Sequence, residues 1–406
     1  MRPASVVVVS QGRAEMLERC LKGLAQIDHP DVEVVVVADA ASTPAVARSG
    51  LGDVVKLVPC EVPNISAARN AGIAQASGEI VAFIDDDAVP EPRWLSHLTA
   101  PFADDDVQAA GGFVRGRNGI GFQWRGRMVF DDAETADLPI DGDAPVKLQG
   151  AKGRAVKTEG TNMAVRRDTL VALGGFDEAF AFYLDETDLN MRLAARGAVT
   201  ALVPLAQVHH GYAASARRTG DRVPRTLFEI GASLAVFLRK HHGRAVKGAH
   251  RAAQRRRLLR HMIAGRLMPG DVGRLLSTFD AGWNDGLSRS PRLAGDLGTV
   301  PDRLIFPTKV RPHEIVFGRS FERKAAMERA RAKVREGAVT TLYLWSFTAL
   351  YHRVRFTKDG VWVQSGGQFG RAERSEPLFR VIPGGARVQA EALRVRALRV
   401  PRPTPG

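Results

Sequence analysis

Three consecutive aspartates, Asp85, Asp86 and Asp87, are the residues of this sequence best suited to chemistry. They follow an apolar run at residues 80–84, whose β-branched and aromatic side chains predict a buried strand. Carboxylates at the carboxyl end of such a strand lie at the edge of an α/β sheet where ligands usually bind. The pattern therefore predicts a ligand site at this point of the chain.

Aspartates packed this closely repel one another, so they stay ionised at low cost only beside a positive charge such as a divalent cation. A hard cation bound by one or two carboxylates and by substrate phosphates is a common arrangement for nucleotide substrates. A second acidic triplet at residues 104–106 has no apolar strand before it. We interpret that triplet as a solvated loop, so the strand context separates the two.

Strands and helices alternate through the first part of the chain. The predicted strands are 4–9, 32–37, 54–58 and 199–203, and the predicted helices are 13–26 and 64–76. This alternation indicates an α/β fold with a mostly parallel sheet flanked by helices. Asn64 suits the N-cap of its helix. Pro204 and the pair His209 and His210 come after the last predicted strand.

Further polar residues are expected at the same sheet edge. Asp39 ends the second predicted strand, and Arg69 lies on the helix before the acidic strand. Three carboxylates, Asp185, Glu186 and Asp188, begin a helix, where the macrodipole favours negative charge. Each feature also has a purely structural interpretation, such as an ion pair of Arg69 with a neighbouring aspartate, or helix capping by the carboxylates.

In their order along the chain, these segments closely resemble family 2 glycosyltransferases with the GT-A fold, over about residues 4–215. The resembling segments are 34–43, 66–73, 83–95, 160–167, 174–178 and 185–192. The sequence departs from the family pattern in two places. Ala38-Asp39-Ala40 stands where the family prefers Asp-Asp-Gly, and Asp185-Glu186 stands where it has Glu-Asp. The second departure puts a glutamate at the position of the base.

The resemblance implies inverting transfer of a sugar from a nucleotide-diphosphate donor to a glycan or glycolipid hydroxyl, dependent on Mn²⁺ or Mg²⁺. The implied roles are Glu186 or Asp185 as base, Asp39, Arg69, Asp85 and Asp86 for the donor, Asn162 and Asp188 for the acceptor, and Asp87 with His210 or His209 for the metal. Asn162 could instead cap the helix that follows it, and either histidine could be a surface loop residue.

Two other classes of protein are alternatives to this interpretation. Asp85-x-Asp87 resembles the nucleophile pattern of haloacid-dehalogenase-type phosphatases, but that pattern normally ends the first strand of the domain, and here it ends the fourth. A basic nucleic-acid-binding protein is the second alternative. It is disfavoured because the sequence contains no recognised binding motif, and no GxxxxGK[ST] loop or dinucleotide fingerprint is present.

Charge is distributed unevenly along the 406 residues. Residues 1–200 carry 20 Lys and Arg against 29 Asp and Glu, net −9, and the remainder carries 38 against 15, net +23. The basic half predicts an acidic partner, such as an anionic membrane surface or a polyanionic acceptor, unless it is only a soluble Arg-rich surface. With two cysteines and no signal peptide or long apolar segment, the chain is expected in the cytoplasm or peripherally at the inner face of the membrane.

The pattern predicts three parts. Residues 1–240 form the GT-A-type catalytic domain and end in an amphipathic helix at 225–241. Residues 241–338 form a basic helical segment. Residues 339–406 form a small β-rich module, with a hairpin turn at 358–360.

Overall fold

The computed structural model describes residues 1–211, 215–295 and 297–401. Its strands are β1 (Ala4–Ser10), β2 (Val32–Ala38), β3 (Lys56–Pro59), β4 (Ile80–Asp85), β5 (Ala88–Pro90), β6 (Val107–Arg115), β7 (Phe122–Trp124), β8 (Arg127–Phe130), β9 (Thr135–Asp137), β10 (Val146–Gln149), β11 (Arg154–Lys157), β12 (Met163–Arg166), β13 (Val199–His210), β14 (His313–Arg319), β15 (Val339–Ser346), β16 (Arg353–Phe356) and β17 (Val361–Gly367). Its helices are α1 (Ala14–Leu24), α2 (Pro44–Arg48), α3 (Ile65–Ala74), α4 (Trp94–Thr99), α5 (Arg167–Leu173), α6 (Asp185–Ala195), α7 (Phe228–Phe237), α8 (Lys247–Ile263), α9 (Pro269–Ser288), α10 (Arg323–Arg335) and α11 (Gly384–Arg399).

The main sheet has the order β10-β13-β6-β12-β4-β1-β2-β3, with β5 paired to β13 and β7 to β6. Strands β3, β2, β1 and β4 run parallel, β12 is antiparallel to both of its neighbours, and β6 and β13 are again parallel. Valines on the two faces of β1, such as Val6 and Val7, belong to separate buried clusters. The sheet is thus covered on both faces, which explains the continuous apolar runs. The predicted α/β architecture is confirmed.

Strand β13 extends to His210, well past its predicted end. Its register against β6 shifts between Val203 and Gln207, and Gln207 Nε2 donates to Pro204 O at 2.8 Å. Because proline cannot donate a ladder hydrogen bond, the irregularity lets the strand pass Pro204 and resume pairing. His209 and His210 therefore lie within a strand, paired with β5, rather than in a loop.

The helix predicted at 225–241 is not amphipathic in the way expected. In α7 all of residues 231–237 are buried, and the helix packs against α9. The two backbones approach closely at glycines, since a Cβ on Gly282 would lie 1.9 Å from Phe228 O. This helix is part of the core and offers no apolar face to a membrane.

The C-terminal sheet has the order β14-β15-β17-β16, in which β14, β15 and β17 run parallel and β16–β17 form the predicted hairpin. Two expectations are wrong. The sheet takes β14 from the segment predicted to be helical, and residues 384–399, predicted to be strand-rich, form α11. The three-part division itself stays a prediction, and residues 402–406 lie outside the described part of the chain.

The C-terminal sheet packs directly on the main domain. Trp362 Nε1 donates to Gln26 Oε1 at 3.1 Å, and Gln26 Nε2 donates to Gly360 O at 2.7 Å. Val89 and Ile120 of the first domain share a buried cluster with Trp362. Within the described ranges, no helix combines the length and apolarity needed to cross a membrane.

Candidate active site

A cleft of about 880 Å³ opens at the carboxyl ends of β1, β2 and β4. This is the edge at which the sequence predicted a ligand site. The predicted site residues that line it are Asp39, Arg69, Asp85, Asp87, Asp185, Glu186 and His210. The chain thus brings together residues that are up to 171 positions apart in sequence.

Three of these side chains form a group that fits a metal ion. Asp85, Asp87 and His210, here called the cation-binding group, each offer a ligand atom within 4.8 Å of the others. His210 Nε2 lies 3.2 Å from Asp87 Oδ1, and its Nδ1 lies 3.0 Å from Gln123 Oε1. With the proton on Nδ1 donated to Gln123, the Nε2 atom that faces Asp87 carries the lone pair that a metal ion would accept. The two carboxylates are ligands typical of Mg²⁺ and Mn²⁺, whereas the imidazole is a ligand typical of transition metals.

Two arginines bring positive charge to this group. Arg13, just after β1, places Nη2 2.6 Å from Asp86 Oδ1 and Nη1 3.6 Å from Asp87 Oδ2. Arg218 Nη2 lies 3.9 Å from the same Asp87 oxygen. Burial lowers the pKa of Arg218, and the attraction of Asp87 opposes that shift. Both guanidinium groups line the cleft, where they can donate hydrogen bonds to an anionic ligand such as a diphosphate.

Asp185 and Glu186, here called the acidic pair, begin α6 and differ in their partners. Asp185 accepts a hydrogen bond from Nη1 of Arg69. Nη2 of the same arginine lies 3.4 Å from Asp85 Oδ1. Glu186 accepts from Lys157 Nζ at 2.8 Å. Burial raises the pKa of Asp185, whereas for Glu186 the Lys157 ammonium overcomes the effect of burial and lowers the pKa. The two carboxyl groups are therefore chemically distinct.

The turn before α6 is strained. Tyr183 and Leu184 both have left-handed backbone conformations, with φ of 75° and 64°. Such conformations cost about 1–3 kcal/mol each in non-glycine residues and cluster at functional sites. The turn sets the direction of the acidic pair at the first turn of the helix.

Asp39 is held by backbone groups at the cleft wall. Its Oδ2 accepts from Gly12 N and its Oδ1 from Ser42 N, both at 2.8 Å. The carboxylate still has acceptor capacity on each oxygen, so it can receive further hydrogen bonds from a ligand.

Two predicted ligand-binding residues do not line the cleft. Asp86 is fully buried, where it accepts from Ser10 Oγ at 2.7 Å and pairs with Arg13.

Asn162 is also fully buried. Its Oδ1 accepts from Trp94 Nε1 at 2.7 Å, and its Nδ2 donates to the carbonyl oxygens of residues 113 and 206. Both side chains join elements beneath the site, and Trp94 is a core residue.

Asp188 and His209 also point away from the cleft. Asp188 is fully buried among Arg192, Lys240 and His241, all within 2.8 Å. Burial opposes ionisation there, but the charge of Arg192, the hydrogen bond with His241 and the charge of Lys240 lower the pKa of Asp188 well below its usual range. His209 Nε2 lies 2.7 Å from a carboxylate oxygen of Glu91, on the opposite face of β13 from His210.

The sequence interpretation missed Arg13, Gln123 and Lys157. A signal existed for Arg13, because it follows the first strand at the same sheet edge as Asp39. Lys157 and Gln123 meet their partners across 29 and 87 residues, and no local pattern indicates such contacts.

Comparison with known proteins confirms the resemblance seen in the sequence. Residues 5–168 match the family model described as glycosyl transferase family 2. Over 179 residues, 42% of this chain, the protein is 26% identical to glycosyltransferase AglE of Haloferax volcanii. Over 245 residues, 59% of this chain, it is 25% identical to the pre-mycofactocin glycosyltransferase of Mycobacterium tuberculosis. The chain spans about half the length of these two relatives, 55% and 48%.

Among solved structures, a mannosyltransferase of Pyrobaculum calidifontis in complex with GDP-Man and Mn²⁺ is similar at a TM-score of 0.44 and 20% identity. The similarity covers 71% of this chain and 88% of that protein.

Proposed function

We propose that this chain, whose residues 5–168 match glycosyl transferase family 2, transfers a sugar from a nucleotide-diphosphate donor to an acceptor hydroxyl. One observation carries the proposal: the cation-binding group and the acidic pair line the same cleft, with Arg69 between them. Sugar transfer needs both parts, because a diphosphate must leave and an acceptor proton must be taken up.

The donor is proposed to lie along the edge formed by β1, β2 and β4. Asp39 would accept hydrogen bonds from the nucleoside, while Arg13 and Arg218 would offset charge on the diphosphate. The cation-binding group would hold Mn²⁺ or Mg²⁺, which when bound neutralises the leaving diphosphate. Arg69 would keep Asp85 and Asp185 apart and oriented.

The acidic pair is proposed to supply the base. The acceptor oxygen bonds to the anomeric carbon as the bond from that carbon to the diphosphate oxygen breaks, and the acceptor proton passes to a carboxylate. Attack from the face opposite the diphosphate gives inversion. We assign the proton to Glu186, because its side chain is 17% exposed against 5% for Asp185 and can more easily meet an acceptor.

The acceptor is proposed to be a glycan or glycolipid at an anionic membrane, as in bacterial surface-glycan synthesis. Residues 313–406 carry 18 Lys and Arg against 8 Asp and Glu. The loops after β15 and β17 expose large apolar side chains, here called the apolar edge: Phe347, Leu350, Tyr351, Phe379 and Val381. A second copy would bring like charge to this surface, whereas a bilayer of acidic lipids accepts both arginines and apolar side chains.

The contacts of the apolar edge support one continuous surface. Phe369 N donates to Thr348 O at 3.1 Å and the Phe369 ring lies 5.6 Å from that of Phe379, so the two loops touch. The guanidinium carbon of Arg371 lies 4.6 Å from the centroid of the Tyr351 ring. Arginine stacked on exposed aromatic rings suits the headgroup layer, where one end of each side chain is apolar and the other charged.

A panel of nucleotide sugars tests the function directly. The full chain is melted with each sugar, with and without Mn²⁺, and donors that raise the unfolding temperature only with the metal are tested for nucleoside-diphosphate release. Release that depends on an added acceptor supports transfer. Phosphate release from simple phosphate esters would favour the phosphatase alternative, and salt-dependent nucleic-acid binding without any nucleotide-sugar binding would favour the nucleic-acid alternative.

A further inference from the structure

Arg399, the last residue of α11, is buried against Glu91 of the catalytic domain. Arg399 Nε donates to Glu91 Oε2 and Arg399 Nη2 to Glu91 Oε1, both at 2.8 Å. The two residues are 2% and 1% exposed, so this bidentate pair is shielded from water. Burial alone would raise the pKa of Glu91, but Arg399 and His209 hold it far below the usual range. Glu91 is therefore a carboxylate in the folded protein.

Glu91 in turn joins two segments of the catalytic domain. Its side chain lies 2.7 Å from His209 Nε2, and its backbone N donates to Gln207 O at 3.0 Å. Glu91 directly follows β5, whereas Gln207 and His209 belong to β13. The residue thus fastens the end of β5 to β13.

These two segments carry the cation-binding group. Asp87 immediately precedes β5, and His210 is the last residue of β13. Ala88 pairs with His210, and Gly211 N donates to Asp87 O at 2.6 Å. A two-stranded ribbon, defined here as β5 with residues 207–210, therefore sets the distance between the imidazole and the carboxylate.

We propose that Arg399 is a positioning residue for the metal site, so that the C-terminal module helps to determine metal affinity. This inference rests on the proposed metal-dependent function. Arg399 fixes Glu91, Glu91 fixes His209, and the ribbon transmits that position to Asp87 and His210. Partners that hydrogen-bond directly to metal ligands typically change metal affinity by about 10- to 100-fold when they are removed. Arg399 acts further out, through Glu91.

The competing interpretation is that Arg399 only anchors the C-terminal module. Arg311 provides a matched control, because its guanidinium also ties this part of the chain to the first domain. Arg311 Nη1 donates to Gly337 O and Nη2 to Ala25 O, both at 3.1 Å. Neither bond touches Glu91 or the ribbon. A loss confined to Arg399 variants therefore separates positioning from anchoring.

The test measures binding of Mn²⁺ alone to the full chain by electron paramagnetic resonance, with folding checked by circular dichroism. We compare Arg399→Lys, Arg399→Met and Arg311→Met with the unmodified protein. Arg399→Lys keeps the buried charge but loses the bidentate geometry, so it remains informative where Arg399→Met fails to fold. We expect both Arg399 variants to bind Mn²⁺ more weakly, by no more than about 10-fold, the lower end of that range, and Arg311→Met to bind it normally.

Normal Mn²⁺ binding by folded Arg399→Lys would overturn the positioning role and leave the proposed function intact. An equal loss in Arg311→Met would also overturn it, since general loosening would then explain the effect. If the unmodified protein binds no Mn²⁺, the metal-dependent function itself fails, and the positioning role fails with it.

Discussion

Arg69 and Asp185 form a buried ion pair at the centre of the cleft, with the arginine 5% and the aspartate 4% exposed. Arg69 also approaches Asp85, so a single guanidinium separates the acidic pair from the cation-binding group. Its position over the Phe176 ring, 5.2 Å from the centroid, fixes it further. These ion pairs agree with the structural role that the sequence left open for Arg69 beside donor binding.

Removing Arg69 should destabilise the protein strongly. Arg69→Met leaves Asp185 as a buried carboxylate without its cation, and breaking such a pair costs about 3–5 kcal/mol. Urea unfolding at pH 7 measures this loss. Arg292→Met is the control, because Arg292 pairs with Glu178 at 3.2 Å but is 80% exposed, and exposed pairs contribute about 0–1 kcal/mol. Equal losses in the two variants would contradict the burial argument.

The two acidic triplets should behave differently. Asp87→Asn should abolish transfer and remove the Mn²⁺ dependence of nucleotide binding, because Asp87 belongs to the cation-binding group. Asp105→Asn should do neither, since its side chain is 85% exposed, pairs with Arg2 and is not among the residues that line the cleft. Calorimetric titration of a nucleoside diphosphate with and without Mn²⁺ measures the difference. Equal effects of both substitutions would refute the argument from strand context.

The acidic pair should separate binding from turnover. Glu186→Gln should keep donor binding and lower the turnover rate by about two to four orders of magnitude, the usual span of general acid–base catalysis. Steady-state rates of nucleoside-diphosphate release give the measurement. If Glu186→Gln is nearly unaffected and Asp185→Asn is inactive, the base is Asp185, whose raised pKa also suits proton uptake.

Local sequence patterns predicted residues at the ends of strands and helices, but they did not predict contacts between residues far apart in the chain. Asp85 and Asp87 were found because an apolar run immediately before them sets the end of β4. Asp188 lies in the same motif as the acidic pair, yet its carboxylate contacts Lys240 and His241, more than 50 residues later in the chain. No local periodicity reports such a partner, so the sequence could not show which of three neighbouring carboxylates faces inward.

The same limit explains the misassigned helix. Apolar spacing in residues 225–241 indicates a helix, but one apolar stripe cannot reveal that α9 covers the rest of α7. The small residues of α7 and α9 were the available signal, because glycines permit the close approach that buries both helices.

The contribution of His29 to stability should fall as the pH drops from about 6.5 to about 4. Burial of the His29 imidazole lowers its pKa from 6.5 to about 4, and the nearby aspartates only partly oppose this effect. Between these values the unfolded chain binds the proton and the folded one does not, so unfolding becomes easier as pH falls, by up to about 3 kcal/mol. His313, lowered to about 4 by burial, acts in the same direction.

Urea unfolding at several pH values between 4 and 6.5 checks this prediction. The free energy of unfolding of His29→Gln should lack the His29 contribution because glutamine does not titrate, so its pH dependence should differ from that of the unmodified protein. His250→Gln, at a half-buried position on α8, should keep the pH dependence of the unmodified protein. An unchanged slope in His29→Gln would show that other groups carry the pH dependence.

The apolar edge should mediate binding to anionic membranes. The full chain should sediment with vesicles containing phosphatidylglycerol at low salt, and less so as salt rises, because charge attraction is screened within about 8 Å at physiological ionic strength. The triple variant Phe347→Ser, Leu350→Ser, Val381→Ser should bind at least about 10-fold more weakly, since each apolar side chain contributes about 1.5–3 kcal/mol when fully buried. These side chains are 63%, 64% and 79% exposed, so their replacement should leave the unfolding temperature nearly unchanged.

The matched control replaces exposed apolar residues elsewhere. Ile263 and Met268 lie at the end of α8 and before α9 and are 82% and 72% exposed, and their change to serine should leave vesicle binding intact. If the unmodified protein binds neutral phosphatidylcholine vesicles as well as it binds anionic ones, the basic charge does not contribute to membrane binding. If the triple variant binds vesicles as well as the unmodified protein does, the apolar edge is not the contact surface. The excess of arginine would then be better explained by solubility or by a groove for a polyanionic acceptor.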